Sequence, residues 1–99
     1  MDQAIALAGV DQSWKPALEW IAQHESSGNP YEVNSTPVGK EHATGLMQTL
    51  PSTFKEYGIP GTSIYNPVYN AVAAIRYIKS RYGSPYNIPG LYKTPWRGY

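Results

Sequence analysis

The chain has 99 residues, 41% of them apolar, which is enough for one domain with a single modest core. Its formal net charge of +1, with no basic run, leaves nucleic acid and anionic membrane surfaces without an electrostatic footprint. No cysteine is present, so a disulfide scaffold and a thiolate metal site are both excluded.

In chain order, residues 2–8 carry Ile5, Leu7 and Ala8 at helical spacing and predict a short helix ending at Gly9. The first ten residues have no basic n-region and too short an apolar run, so neither a signal peptide nor a membrane insertion is expected. A Met followed directly by domain sequence fits a module cut from a longer protein, with residues 1–99 as its single domain.

Ser13 is the expected cap of the next helix, with Pro16 tolerated in its first turn and an end near Ser26. Trp14, Leu18, Ile21 and Ala22 recur at i, i+4, i+7 and i+8 and form one apolar stripe. Glu25 is four residues past Ile21 and lies on that stripe. Gly28 and Pro30 end the helix just beyond it.

Residues 29–44 read as loop with at most two short strands, because Pro30, Pro37 and Gly39 interrupt Tyr31, Val33 and Val38. Gly45-Leu46-Met47-Gln48 follows as a compact turn. Pro51 to Tyr57 reads as a short helix stopped by Gly58. Asn66-Pro67 is the clearest helix start, an N-cap residue followed by Pro at N1. Val68, Ala71, Val72, Ile75, Ile78 and Tyr82 keep one face of that helix apolar, and Asn70, Ala74 and Tyr77 line a second. The helices beginning near residues 14 and 67 are expected to pack together. The tail from Ser84 has no period, but its large aromatics predict that it folds back onto the body.

Chemistry concentrates on Glu25. A carboxylate on the inward face, in the last turn, is desolvated and faces the negative end of the helix dipole. Both effects raise its pKa toward what a general acid near neutral pH requires. The bland alternative is a solvated helix-end Glu. Nine Tyr and three Trp against one Phe suit a wet groove for sugars or peptides, or else the rims of a small core. There is no phosphate loop and no nucleophile elbow. His24 and His42 lack metal-ligand spacing, so no metal and no cofactor is expected. Acid chemistry on a glycosidic oxygen usually needs two carboxylates. Glu19 points outward by spacing, and Glu32 and Glu41 lie in the loop, so none makes a strong second catalyst.

Glu25-Ser26-Ser27-Gly28-Asn29-Pro30, followed by Gly45-Leu46-Met47-Gln48 and Pro51, resembles the signature of the soluble lytic murein transglycosylase catalytic domain. Asn66-Pro67-Val68-Tyr69-Asn70, ahead of Tyr77, is similar to that family's third motif. The match covers residues 14–83, and the order and spacing of the motifs together make it specific. The version here, with its Trp96-Arg97-Gly98-Tyr99 tail, is similar to domains carried in tail tape-measure proteins of phages and prophages of Gram-positive bacteria.

The resemblance implies a mainly α, lysozyme-like fold with at most a very short β element, and a groove for a peptidoglycan glycan strand. It implies non-hydrolytic cleavage of the β-1,4 bond between N-acetylmuramic acid and N-acetylglucosamine, leaving 1,6-anhydromuramoyl ends. Glu25 would act as general acid and then as base. Gln48 and the Gly45-Leu46-Met47 backbone would line the groove, with Met47 as wall. Tyr77 would orient Glu25 by a hydrogen bond, while Ser26 and Asn70 would hold the fold. A groove-side hydroxyl is expected at Ser35 or Thr36, next to the extra Lys40-Glu41-His42. The family's downstream Tyr-Asn-Ala-Gly segment is missing, and Tyr86-Asn87 or Tyr92 is the candidate replacement for the far wall. The isolated domain is expected to be a monomer acting at the cell wall, outside the cell, or in a virion tail. The alternatives are a goose-type-like muramidase that uses water and a catalytically silent glycan-binding tail module.

Overall fold

The computed structural model describes residues 1–99. Four α-helices, α1 (Asp2–Ala8), α2 (Lys15–Ser26), α3 (Pro51–Tyr57) and α4 (Pro67–Tyr82), and two short 3-10 turns carry the chain. The expected mainly helical class holds. The only β structure is a set of isolated antiparallel bridges, Val33 to Thr44, Val38 to Glu41 and Thr44 to Thr49. No helix is long and apolar enough to cross a membrane.

α4 is the central element. Asn66 caps it as the sequence predicts, its Oδ1 accepting from the backbone N–H groups of Val68 at 3.0 Å and Tyr69 at 3.4 Å. Residues 70–75 are all buried, so its middle is enclosed on every side rather than on one face. Ala71, Ala73 and Ala74 make this possible, because small side chains let neighbouring segments come close. α4 approaches α1 and α3 most closely, not α2. The expected α2–α4 packing is therefore indirect: Leu18, Ile21 and Ala22 of α2 join Val72, Ile75 and Ile78 in one core with Ile5 and Met47. Each fully buried Ile or Leu contributes about 2 kcal/mol of transfer free energy.

The start of α2 differs from expectation. A 3-10 turn, Gln12–Trp14, precedes it, and the cap is Asp11, whose Oδ1 accepts from the Ser13 N–H at 2.8 Å. Ser13 is thus a donor inside the capped turn, and the carboxylate two residues earlier is the better acceptor. At the other end Ser27 adopts a left-handed φ of 55° and closes the helix.

The turn at residues 44–49 joins the two halves of the fold. Thr44 and Thr49 exchange both backbone hydrogen bonds at 3.0 Å, and Gly45 to Gln48 makes the reversal between them. Gly45 has φ 86°, and a Cβ there would collide with the Asn70 amide and lie 2.8 Å from the Ile64 carbonyl. Asn70 fills the space a side chain would take. It is fully buried, accepts from the Met47 N–H at 2.8 Å and the Thr49 hydroxyl at 3.3 Å, and donates to the carbonyls of Thr44 and Ile64 at 2.9 Å.

Glu41, within the extra loop residues, caps α3 from outside the helix. Its carboxylate accepts from the Ser52 N–H at 2.7 Å and the Ser52 hydroxyl at 2.6 Å.

Removing the Asn70 amide strands several buried partners at once. Asn70→Ala is expected to cost about 3 kcal/mol or more in urea unfolding. Asn66→Ala, which removes only an exposed cap, should cost about 1 kcal/mol. Equal losses in the two variants would show that the buried network carries no special weight.

Candidate active site

Glu25 stands in the last turn of α2, half-buried, at the edge of a cavity of about 370 Å³. The helix delivers it there because Leu18, Ile21 and Ala22, on the same stripe, are drawn into the core. Burial pushes its carboxyl up from an ordinary 4.5 to about 7, and a weaker influence of the Trp96 indole opposes that rise. The Trp96 N–H is close enough to favour the charged form, but it does not meet the carboxyl in hydrogen-bond geometry.

Apart from Glu25, the cavity walls come from four segments, one of them the start of α3 with Leu50 and Thr53. The loop and turn supply Asn34, Val38, Ala43, Gln48 and Thr49, and α4 supplies Tyr77 and Arg81. The tail supplies Arg97, Gly98 and Tyr99. Glu25 is the only acidic residue among the lining side chains. Glu19 is exposed on the outer face of α2, Glu41 is committed to α3, and Glu32 lies on the exposed loop. No group of three or more His, Asp or Glu side chains is placed to hold a metal ion. His24 and His42 each turn a ring nitrogen onto a backbone carbonyl, of Trp20 and Asn34, at 2.8 Å.

Of the residues expected at the groove, Gln48 and Tyr77 line the cavity with Glu25. Gln48 has φ 53°, and its amide closes the turn by donating to the carbonyls of Glu32 and Gly45 at 3.0 Å. Tyr77 makes no hydrogen bond to Glu25. Its hydroxyl accepts from Arg81, one helical turn on, whose guanidinium also lies over the Tyr82 ring. Met47 is not wall: its side chain is fully buried in the core, because the Asn70 bond to its backbone turns it inward. Gly45 and Leu46 likewise lie behind the cavity rather than on it. Ser35 and Thr36 sit on the exposed loop outside the cavity, where the Thr36 N–H donates to Asn34 Oδ1, and Asn34 takes the lining position. Ser26 donates to the Ala22 carbonyl at 3.2 Å and the Leu46 carbonyl at 2.7 Å, tying the end of α2 to the turn. Asn70 lies within the fold, as described above.

The far wall is not formed by Tyr86-Asn87 or Tyr92. The Tyr86 hydroxyl donates to the Ser13 carbonyl, Asn87 donates to the Tyr82 carbonyl, and Tyr92 packs edge-on to Trp20. They anchor the tail to the end of α4, to the turn before α2 and to α2 itself, and its last residues reach Glu25. The Tyr99 hydroxyl donates to the Met47 carbonyl at 2.7 Å, and burial holds it protonated well above its ordinary range. A Cβ on Gly98 would lie 3.7 Å from Glu25 Oε2, so the tail backbone runs directly against the carboxyl. Sequence periodicity could not find these residues, since the tail has none. Arg81 was within reach of it, four residues past Tyr77 on the same helix face.

Folded Glu25 keeps its proton to about pH 7, whereas the unfolded chain releases it near 4.5. Its contribution to stability is therefore complete below pH 4.5 and is lost as pH rises to about 7. Compared with Glu25→Gln in urea unfolding, the native chain should lose up to about 3 kcal/mol across that window. A constant difference between the two would mean that the carboxyl is not desolvated.

The family model for the transglycosylase SLT domain matches residues 3–94. The chain is 48% identical over 104 aligned positions to an uncharacterized protein, YqbO, of Bacillus subtilis (strain 168), covering 97% of this chain and 7% of that protein. It is 36% identical over 85 positions to a protein named transglycosylase of Enterobacteria phage PRD1, covering 82% of this chain and 29% of that one. The chain thus spans less than a third of either relative. No solved structure matches it. With a mainly helical body, a cleft and one buried carboxyl in it, the chain belongs to the transglycosylase SLT domain family, with the lysozyme-like fold of that family.

Proposed function

We propose that this domain cleaves the β-1,4 bond between N-acetylmuramic acid and N-acetylglucosamine in peptidoglycan without water, with Glu25 as its only catalytic carboxyl. The observation that carries this reading is the single acid in the cavity, kept neutral to about pH 7 by burial. A neutral carboxylic acid can protonate the glycosidic oxygen as the bond to C1 breaks. The carboxylate so formed takes the proton from the C6 hydroxyl of the muramoyl sugar as that oxygen closes on C1. Glu25 is thereby reset, and the product ends in a 1,6-anhydro ring. A nucleophile within the substrate already has a high effective concentration, so the lack of a second lining carboxylate is consistent with the chemistry.

The remaining lining residues have supporting roles. Gln48 and Asn34 offer amides for the acetamido and hydroxyl groups of a glycan, and Tyr77 offers a ring face. The closure of the tail on Glu25 limits water around the carboxyl, which strengthens its electrostatic interactions. The chain matches only 7% and 29% of the two relatives, which supports a domain that works as a module of a longer protein, and its proposed place is the cell wall or a virion tail.

Digestion of purified sacculi followed by mass spectrometry tests the reaction. Products should carry an anhydro end, lighter by one water than a reducing end. Reducing ends would point instead to water as the nucleophile, as in a muramidase. Glu25→Gln should retain glycan binding and lose at least about 100-fold in activity. Equal clearing by both proteins would remove Glu25 from its role, and binding without clearing by either would identify a silent module. Because the acid form is the active one, the rate should fall as pH rises through about 7. A rate unchanged between about pH 5 and about pH 9 would contradict a buried proton donor. A chelator should leave the rate unaltered.

A further inference from the structure

One buried side-chain polar atom in the molecule has no partner, the indole nitrogen of Trp96. Buried donors are nearly always satisfied, so an unpaired one beside a reactive group calls for a reason. The ring itself is firmly held. It packs edge-on against Trp20, with centroids 5.1 Å apart, and Trp20 is stacked on His24 at 3.8 Å. Two residues on, a Cβ built on Gly98 would lie 3.7 Å from Glu25 Oε2, so the tail passes within a methyl group's reach of the carboxyl. The indole N–H lies near enough to the Glu25 carboxyl to favour its charged form, and it is spent on no other acceptor.

We propose that Trp96 is a positioning residue for Glu25, its indole N–H held free for the carboxylate that exists only between proton donation and proton return. The inference rests on the reading of Glu25 as the acid. While Glu25 is neutral, the N–H gains little from it. Once the proton has moved to the glycosidic oxygen, the carboxylate becomes a strong acceptor and the N–H acquires a charge-assisted bond. An interaction that strengthens as charge develops lowers the barrier rather than merely tightening substrate binding. Trp96 keeps its own proton throughout, and the proton on Glu25 passes to the leaving oxygen and is replaced from the C6 hydroxyl.

Among the side chains around the carboxyl, Trp96 is the one whose influence favours its charged form. From α4, Tyr77 and Arg81 line the cavity, Arg81 donating to the Tyr77 oxygen, and neither makes a hydrogen bond to Glu25. From the tail, Tyr99 donates to the Met47 carbonyl, and Arg97 lines the cavity without a bond to Glu25. On α2, His24 is turned onto the Trp20 carbonyl. The direction of the influence agrees with the proposal, since Trp96 favours the charged form of Glu25 against the larger effect of burial.

The test follows the Trp96 indole resonance by nitrogen-15 NMR while Glu25 is titrated from about pH 5 to about pH 9. The indole proton should move downfield with the midpoint of the Glu25 carboxyl, and it should stay still in Glu25→Gln. Trp96→Phe keeps an aromatic ring against Trp20 and removes the donor. In that variant the Glu25 midpoint should rise by about half a pH unit or more, and the falling limb of the rate profile should move with it. A purely structural role would lower the rate and leave the midpoint in place. An indole resonance indifferent to Glu25 in the unaltered protein overturns the proposal, and so does a Phe variant that titrates like the parent. If Trp96→Phe folds poorly, the titration of the unaltered protein still decides. The NMR readout needs no turnover. Coupled titration without glycan cleavage would refute the enzymatic reading alone, and cleavage with a silent indole would refute this inference alone.

Discussion

Everything near the cavity hangs on the side-chain amide of Asn70. A single buried amide can make four hydrogen bonds, and this one spends them on Met47, Thr49, Thr44 and Ile64. It thereby fastens the tight turn to the central helix and satisfies backbone groups that would otherwise be buried without partners. Gly45 is the necessary complement, because any side chain there would occupy the place of the amide. With the turn fixed, its carbonyls become anchor points. Leu46 receives Ser26 from the end of α2, and Met47 receives Tyr99 from the tail. Segments far apart in the chain are thus referenced to one rigid turn.

The desolvation of Glu25 is a product of that arrangement. A carboxyl at a helix end would ordinarily be wet. Here the tail backbone at Gly98 closes against it and Trp96 packs alongside, so water is displaced from the carboxyl. Burying an ionisable group without a fixed counter-charge costs stability, and the group responds by holding its proton. Domains of this size have little stability to spare. A destabilising feature at the cavity is a common mark of a functional site, and it is balanced by well-packed elements elsewhere. The enclosed middle of α4 supplies that balance.

The aromatic excess divides into structure and surface. Trp20, Tyr92 and Trp96 form an edge-to-face cluster that holds the tail on α2, and Tyr77 and Tyr99 contribute to the cavity walls. Polar-tipped rings suit this small protein because a Tyr can bury an apolar face while its hydroxyl reaches a carbonyl. The Tyr86 and Tyr99 hydroxyls do so with Ser13 and Met47. Phe could supply the packing but not the anchoring bond.

Local rules were enough for the helices. Periodicity put Glu25 on the inward stripe of α2, Asn66-Pro67 marked the start of α4, and Gly9 and Gly83 marked helix ends. These features depend on residues within a turn or two of each other, so spacing alone reveals them. The cap expected at Ser13 falls instead at Asp11, on a 3-10 turn ahead of α2 that leaves no trace in the apolar pattern, and α2 itself starts from Trp14 with no side-chain cap. The inward turn of Met47, the capping of α3 by Glu41 and the far wall of the cavity were decided by tertiary structure. Each depends on a contact across the chain, from Asn70, from a loop carboxylate or from an aperiodic tail. Such contacts are set by which backbone groups remain unsatisfied after the helices have packed, and no local pattern encodes that.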